Sequence, residues 1–402
     1  MEQITKPHCG ARLDRLPDCR WHSSMFAIVA FGLLVCWSNA VGGLILAQLK
    51  ALGWTDNSTT ATFSAITTAG MFLGALVGGI IGDKTGRRNA FILYEAIHIA
   101  SMVVGAFSPN MDFLIACRFV MGVGLGALLV TLFAGFTEYM PGRNRGTWSS
   151  RVSFIGNWSY PLCSLIAMGL TPLISAEWNW RVQLLIPAIL SLIATALAWR
   201  YFPESPRWLE SRGRYQEAEK VMRSIEEGVI RQTGKPLPPV VIADDGKAPQ
   251  AVPYSALLTG VLLKRVILGS CVLIAMNVVQ YTLINWLPTI FMTQGINLKD
   301  SIVLNTMSMF GAPFGIFIAM LVMDKIPRKT MGVGLLILIA VLGYIYSLQT
   351  SMLLITLIGF FLITFVYMYV CYASAVYVPV IWPTEAKLRG SGLANAVGRI
   401  SG

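Results

Sequence analysis

The sequence predicts an all-α membrane protein made of two six-helix repeats in parallel orientation, the second truncated in its eleventh helix. Hydrophobic residues make up 55% of the 402 residues and charged residues only 13%, against about 25% charged in a soluble domain. Apolar runs of 18 or more residues recur, each long enough to cross a hydrocarbon core of about 30 Å. A charged turn at Gly82 to Arg88 returns in related form at 324–329.

The first repeat is predicted at residues 25–202, after a polar N-terminal arm at 1–24 that we expect to run along the membrane interface. The short links between its spans favour antiparallel neighbours. The first span is too long and too uniform for a signal peptide, so we expect it to be a retained helix. The six apolar spans fall at 25–49, 60–82, 90–107, 112–137, 149–173 and 182–202.

A polar segment at 203–264 separates the repeats, and we expect it to be a cytoplasmic loop. Residues 214–227 predict a polar helix, and the Pro-rich stretch 235–253 predicts a linker. The C-terminal bundle, 265–402, follows as four helices and the start of a further one. Its spans fall at 266–291, 301–323, 331–348 and 352–381.

The repeat is indicated by a near-constant offset between matching residues. Asp324 follows Asp83 by 241 positions (324 minus 83), and Pro383 follows Pro141 by 242 (383 minus 141). A duplication with both halves in one orientation accounts for both offsets. Because the chain stops at Gly402, we expect a truncated twelve-helix design in preference to a natural ten-helix one.

The net charge of +11 does not indicate a nucleic-acid partner, because Lys and Arg concentrate in every second loop. This distribution follows the positive-inside rule and predicts a cytoplasmic N-terminus. The seven cysteines lack metal-site spacing, so we expect no metal and no cofactor. The sequence has no nucleophile–base set and no phosphate loop, which argues against an enzyme. The glycines of 122–126 lie within an apolar span and predict close helix packing.

Two motifs resemble those of a known family. Gly79-x-x-x-Asp83-Lys84-x-Gly86-Arg87-Arg88 resembles the major facilitator signature, and residues 203–209, Pro-Glu-Ser-Pro-Arg-Trp-Leu, resemble the sugar-porter signature. Residues 12–17 and 395–399 are similar to enterobacterial inner-membrane metabolite transport proteins. The resemblance implies a major facilitator fold in the bacterial inner membrane. It also implies a secondary transporter that works by alternating access, with proton symport, and we expect a monomer.

The resemblance also implies a network of charges that holds the two halves together on the cytoplasmic side. In the family, the counterpart of Asp83 interacts with the start of helix 11 and with nearby arginines. The alternative is that these charges only set the topology. We expect Glu138 to pair with Arg145 and Glu204 with Arg207. The predicted network is Asp83, Gly86, Arg87, Arg88, Glu138, Arg145, Glu204, Arg207, Asp324 and Arg328.

Charges within spans are the strongest functional candidates, because each is costly near the bilayer centre. Glu95 and His98 lie one turn apart on the third helix, and Arg118 lies on the fourth. In sugar-type symporters an Asp on helix 1 pairs with this Arg and carries the proton, but Ser38 stands in its place here. Either Arg118 pairs with Glu95, and His98 takes part in proton movement, or Arg118 attracts an anionic substrate. A purely structural Glu95–His98 pair is a third interpretation.

The sugar-reading residues of the family are absent, since Ala275, Met276 and Ala375 occupy their positions. Polar and aromatic residues in the spans predict the lining of a substrate cavity, although each alone also suits helix packing. With Arg118 they predict a small polar metabolite, with carboxylates and aromatic compounds among the candidates. The alternative is a transport-inactive binding or sensor protein, or a non-functional truncated copy. The predicted lining is Ser38, Asn39, Asn157, Trp158, Asn277, Gln280, Tyr281, Asn305, Tyr367 and Tyr372.

Overall fold

The computed structural model describes residues 7–17, 19–35, 40–141, 145–240, 254–293, 295–322, 325–349, 351–378, 381–382 and 387–400. All regular secondary structure in this part of the chain is helical. The helices up to the central segment are α1 Cys9–Asp14, α2 Arg20–Val35, α3 Gly42–Ala51, α4 Asn57–Thr85, α5 Arg87–Ala106, α6 Met111–Tyr139, α7 Arg145–Asn157, α8 Ser159–Leu170, α9 Ala176–Tyr201, α10 Pro206–Ser211 and α11 Tyr215–Thr233. The later ones are α12 Tyr254–Leu257, α13 Gly260–Tyr281, α14 Leu287–Thr293, α15 Leu298–Met309, α16 Gly311–Val322, α17 Arg328–Ser347, α18 Met352–Cys371 and α19 Lys387–Ile400, with π-helical segments at Thr282–Trp286 and Tyr372–Tyr377.

Within the described residues, the predicted membrane spans correspond to helices, but several are interrupted. Within the described ranges, eight helical segments are long and apolar enough to cross a membrane. The span predicted at 25–49 consists instead of two shorter helices, α2 and α3, and the span at 149–173 consists of α7 and α8. We refer to α2–α9 as the first half and to α13–α19 as the second half.

Prolines follow two of these helix breaks and one π-helical segment. Proline lacks a backbone N–H, and its ring clashes with the carbonyl four residues earlier. The break at Trp158 precedes Pro161, and the break at Phe310 precedes Pro313. The π-helical segment Thr282–Trp286 ends just before Pro288 in the same way. The predicted spans at these points are therefore present as consecutive helical pieces.

Glycines let α4 and α6 pack backbone to backbone. A Cβ atom at Gly74 would lie 2.0 Å from the carbonyl oxygen of Val123, and one at Gly126 would lie 2.1 Å from that of Met71. No side chain fits at those distances, so only glycine permits this contact. The prediction that the glycines of 122–126 serve helix packing is confirmed.

The N-terminal arm, which we predicted to run along the membrane interface, packs against the segment between the two halves. Its helix α1 packs against α10 and α11, with Leu13 and Leu16 fully buried against Met222 and Ile225. The predicted polar helix at 214–227 is present as α11, Tyr215–Thr233. Together α1, α10 and α11 form a small helical unit with its own apolar core, and we call it the polar unit.

The two halves are in direct contact towards one end of the spans, and a cavity opens between them towards the other end. We call the end that carries the Asp83–Arg88 turn and the polar unit the charged side, and the opposite end the far side. Towards the far side, Asn305 of the second half donates a hydrogen bond of 3.2 Å to the Ser164 hydroxyl of the first half. Ile302 is also buried in the apolar core of the first half. Towards the charged side, a cavity of about 500 Å³ separates α4 and α6 from α19.

Candidate functional site

A cavity of about 280 Å³ lies between the two halves near the middle of the spans. The first half contributes residues of α2, α4, α6, α7 and α8 to its wall, and the second half contributes residues of α13, α18 and α19. Four of the predicted lining residues are present here: Asn157, Asn277, Gln280 and Tyr281. The further polar residues of its wall are Ser153, Ser159, Tyr160, Asn395 and Arg399.

Arg399 supplies the positive charge in this wall, and the sequence interpretation did not single it out. It lies on α19 one turn after Asn395, and both residues border the central cavity and the cavity beside α4. Its guanidinium makes no ion pair or hydrogen bond within the part of the chain that the structure describes. A buried charge is costly within a bilayer. The single arginine among the mostly small and apolar residues 390–400 could therefore have been recognised from the sequence as a candidate site residue.

The remaining predicted lining residues lie elsewhere. Asn305 binds Ser164 towards the far side, and Trp158 faces a separate apolar pocket. Tyr367 is buried behind the cavity wall, with its ring 5.4 Å from that of Tyr160. Tyr372 stacks on Tyr377 near the charged end of α18. Ser38 and Asn39 lie outside the described residues.

The intramembrane charges of the first half do not line the central cavity. Arg118 is 2% exposed, with its guanidinium donating to the Thr67 hydroxyl and lying over the Phe63 ring. Glu95 and His98 are fully buried, and Nδ1 of the imidazole lies 3.6 Å from Oε2 of the carboxylate. Arg118 therefore does not take part in the cavity wall as the anion-attracting group that the sequence suggested.

The charged turn is organised by Arg87 at the start of α5. Its guanidinium pairs with Asp83 at 2.7 Å and with Glu138 at 2.8 Å. Glu138 also accepts a hydrogen bond from the Ser205 hydroxyl. Arg88 donates to the backbone carbonyl of Trp199. The acidic and basic residues predicted on the turn thus form one connected network within the first half and the segment that follows it.

Glu204 caps the N-terminus of α5. The predicted pair between Glu204 and Arg207 is not formed. Its Oε1 accepts hydrogen bonds from the backbone amides of Arg87 and Arg88, at 2.7 and 3.2 Å. A carboxylate at a helix N-terminus satisfies amides that have no intrahelical partner. Arg207 instead pairs with Asp14 of the arm at 2.9 Å.

The other predicted network members are only partly described. Arg328 begins α17 with an exposed side chain. Asp324 and the side chain of Arg145 lie outside what the structure describes, so the predicted Glu138–Arg145 pair remains a prediction.

Comparisons with known proteins agree with this geometry. The sequence profile of the Major Facilitator Superfamily matches residues 24–402. The chain is 44% identical to the inner membrane metabolite transport protein YdjE of Escherichia coli, over 100% of this chain and 88% of that protein. It is 30% identical to the putative metabolite transport protein YyaJ of Bacillus subtilis, with the same shares covered.

Among solved structures, the partially occluded inward-open form of the xylose transporter XylE from E. coli has the same fold. The TM-score is 0.71 at 18% sequence identity, over 95% of this chain and 90% of that one. The fold, the family profile and the two relatives agree. The chain therefore belongs to the Major Facilitator Superfamily, whose members are membrane transporters and not enzymes.

Proposed function

We propose that the chain is a secondary transporter that moves a small polar or anionic metabolite, such as a carboxylate, by alternating access and proton symport. The observation that carries this proposal is the polar cavity between the two halves, with Arg399 in its wall. The two relatives at 44% and 30% identity, both named as metabolite transport proteins, support it.

The chemistry of the cavity wall suits a small organic anion. Arg399 presents a planar guanidinium that can bind a carboxylate through two parallel hydrogen bonds. The amides of Asn157, Asn277, Gln280 and Asn395 offer donors and acceptors to the other polar groups of the solute. A volume of about 280 Å³ favours a small molecule, since ligand pockets usually range from about 300 to 1,000 Å³.

The arrangement of the halves supports alternating access. They are joined towards the far side through Asn305 and Ile302, and separated by a cavity towards the charged side. A cycle would open the first contact and close the second. We propose that the charge network around Arg87 keeps the charged ends of the first half together, and that Asp324 and Arg328 have the corresponding role in the second.

Proton coupling is assigned to the buried pair Glu95–His98. Nδ1 of His98 lies 3.6 Å from Oε2 of Glu95, and both side chains are fully buried within the first half. They would replace the helix-1 acid whose position Ser38 occupies. Arg118, on the neighbouring helix α6, would adjust the electrostatic potential at this pair.

The proposed location is the bacterial inner membrane, with the charged side and the N-terminus in the cytoplasm. It is supported by the helices apolar enough to span a bilayer and by the name of the E. coli relative. The uneven distribution of Lys and Arg gives the orientation. We propose a monomer, because the cavity is built within one chain.

The first test is carboxylate binding and carboxylate-driven proton flux by the protein in lipid vesicles. Arg399→Gln should weaken binding by about tenfold or more, because a charge-assisted hydrogen bond contributes about 1.5–3 kcal/mol. Arg399→Lys should retain part of the binding, since it keeps the charge but loses the two-point geometry. Arg231→Gln is the control, because Arg231 is exposed on α11 and belongs neither to the cavity wall nor to the charge network.

Three outcomes of this test are distinguishable. Binding and flux that both depend on Arg399 support the proposal. Binding without flux would favour the binding or sensor protein. Equal binding by the wild type and Arg399→Gln would remove the anion from the proposed substrate class.

A second test addresses the coupling site. Glu95→Gln should abolish accumulation driven by a proton gradient but leave exchange of labelled solute across equilibrated vesicles, because exchange requires no net proton movement. His98→Gln should have the same effect. A variant that loses exchange and accumulation in equal measure would indicate a structural role for the pair.

A further inference from the structure

A second pocket between the halves is apolar and has no place in the proposed transport site. Its volume is about 250 Å³. The first half contributes two of its residues, from the junction of α7 and α8, and the second half contributes the rest, from the junction of α15 and α16 and from α18. The lining residues are Phe154, Trp158, Phe310, Pro313, Phe314, Phe317 and Phe360.

The pocket lies where two helix interruptions face each other across the interface. Trp158 separates α7 from α8, and Phe310 separates α15 from α16. Their rings meet edge to face, with centroids 6.3 Å apart. Phe154 and Phe317 form a second ring pair across the same interface, also at 6.3 Å. The walls therefore belong to both halves.

The pocket opens on the outer surface of the helical bundle. Phe314 and Phe317 are 45% and 46% exposed, and Trp158 is 36% exposed. At 1.5 Å per residue, Phe310 lies about 18 Å along its span, near the middle of a hydrocarbon core of about 30 Å. The medium outside the pocket is thus hydrocarbon and not water.

An empty pocket at this depth is unfavourable. Rings that face a void lose the dispersion contacts that a neighbouring atom would provide. Water does not fill such a space, because a buried water needs two to four polar partners, and the Trp158 indole supplies the one hydrogen-bonding side chain of this lining. A flexible hydrocarbon chain meets both conditions, since it contacts the rings and requires no hydrogen bonds.

We propose that this pocket binds one acyl chain of a membrane phospholipid, inserted between the two halves. The chain would contact Phe154 and Trp158 on one side and Phe310, Phe317 and Phe360 on the other. It would therefore stabilise the arrangement seen here, in which the halves are joined towards the far side. That consequence rests on the proposed function, whereas binding of the chain does not.

The test uses a phosphatidylcholine with a photoactivatable diazirine midway along one acyl chain, incorporated into vesicles that contain the full-length protein. After illumination, adducts are mapped by mass spectrometry. Adducts are expected on Phe154, Trp158 and Phe310. Those on the exposed α9 residues Leu192 and Trp199 report ordinary lipid contact. At every label density the pocket adducts should exceed the α9 adducts, because a chain held against the rings stays within reach of their side chains whereas a chain on the α9 surface exchanges with its neighbours.

A matched pair of variants separates the pocket from the general surface. Phe317→Gln should reduce the pocket adducts by about tenfold, because an amide without a hydrogen-bond partner is costly in hydrocarbon. Leu321→Gln, one turn later on α16 and 54% exposed, should leave them unchanged. Pocket adducts no more abundant than those on α9 would overturn the proposal, as would their absence. A failure of solute transport would not affect this result.

Discussion

Gly86 is the residue on which the geometry of the charged turn depends. It joins α4 to α5 with a φ of 96°, in the region that residues with a side chain rarely adopt. A Cβ atom there would also lie 2.3 Å from Oε2 of Glu204. Both the turn and the cap on α5 therefore require glycine at this position.

We predict that Gly86→Ala destabilises the protein by about 1–3 kcal/mol, because it combines an unfavourable φ with a displaced cap. The measurement is the thermal unfolding midpoint in detergent. Gly79→Ala is the control, since a Cβ at this helical position meets nothing within 4 Å and alanine favours a helix. Equal midpoints for wild type and Gly86→Ala would show that the cap contributes nothing to stability.

For single residues, the sequence predicted which types of side chain avoid lipid better than it predicted where each side chain lies. Asn157, Asn277, Gln280 and Tyr281 line the cavity as predicted, because a polar residue in an apolar span seldom faces lipid. Arg118 also avoids lipid, but hydropathy cannot distinguish a cavity wall from the interior of one half. Only the packing of α4 against α6 reveals that Arg118 belongs to the interior.

At the level of helices, the arm that contains α1 is held to α11 by charges as well as by its apolar face. Arg12 pairs with Glu219 and Glu226, and Arg15 pairs with Glu226. Burial raises the pKa of Glu226, but hydrogen bonds from Arg12 and Arg15 outweigh this effect and leave the pKa below its usual value. The hydrogen bond from Arg12 likewise lowers the pKa of Glu219.

We predict that Arg12→Gln releases the arm, because it leaves two carboxylates without their shared partner. Cys9 reports the release, since its thiol is fully buried in the docked arm and burial raises its pKa to about 12. The rate of Cys9 labelling by a thiol reagent should therefore rise about tenfold or more in Arg12→Gln. Arg20→Gln is the control, because Arg20 is exposed on α2.

The same contacts predict a pH dependence. Because the folded pKa values of both carboxyl groups lie below the usual value, their contribution is complete above about pH 5 and is lost as the pH falls through the folded values. Hydrogen exchange of residues 9–16, corrected for the intrinsic rate, should therefore accelerate in acid. Exchange that is unchanged down to pH 3 would indicate that the apolar face alone holds the arm.

The interrupted helices show what a hydropathy pattern leaves out. The spans at 149–173 and 301–323 were predicted from their predominantly apolar composition. The breaks at Trp158 and Phe310 arise from prolines three residues later, and they create the second pocket. A closer reading of Pro161 and Pro313 could have predicted the breaks, but not that they face each other.

For the whole molecule, the fold was largely predictable, because apolar spans and two family motifs specify a Major Facilitator Superfamily member. The contact between the halves was not predictable, because it depends on which conformation the chain adopts. No sequence pattern indicated that Asn305 would bind Ser164, because either residue alone could equally bind a backbone carbonyl on its own helix. The observed contact joins the halves towards the far side and permits a direct test of alternating access.

We predict that a cross-link between Ser164→Cys and Asn305→Cys, made with a short bifunctional thiol reagent, stops transport and leaves binding at Arg399 intact. The Asn305 Nδ2 and Ser164 Oγ atoms are 3.2 Å apart, so the reagent can span the site, whereas the cavity stays open towards the charged side. Flux and binding are measured before cross-linking, after cross-linking and after cleavage of the cross-link. A parallel control is the protein that carries only its native cysteines. The pair Thr171→Cys and Asn179→Cys is the matched control, because the same type of contact, 3.3 Å long, lies wholly within the first half. If both cross-links leave flux unchanged, the halves need not separate towards the far side, and a rocking motion about the central cavity is excluded.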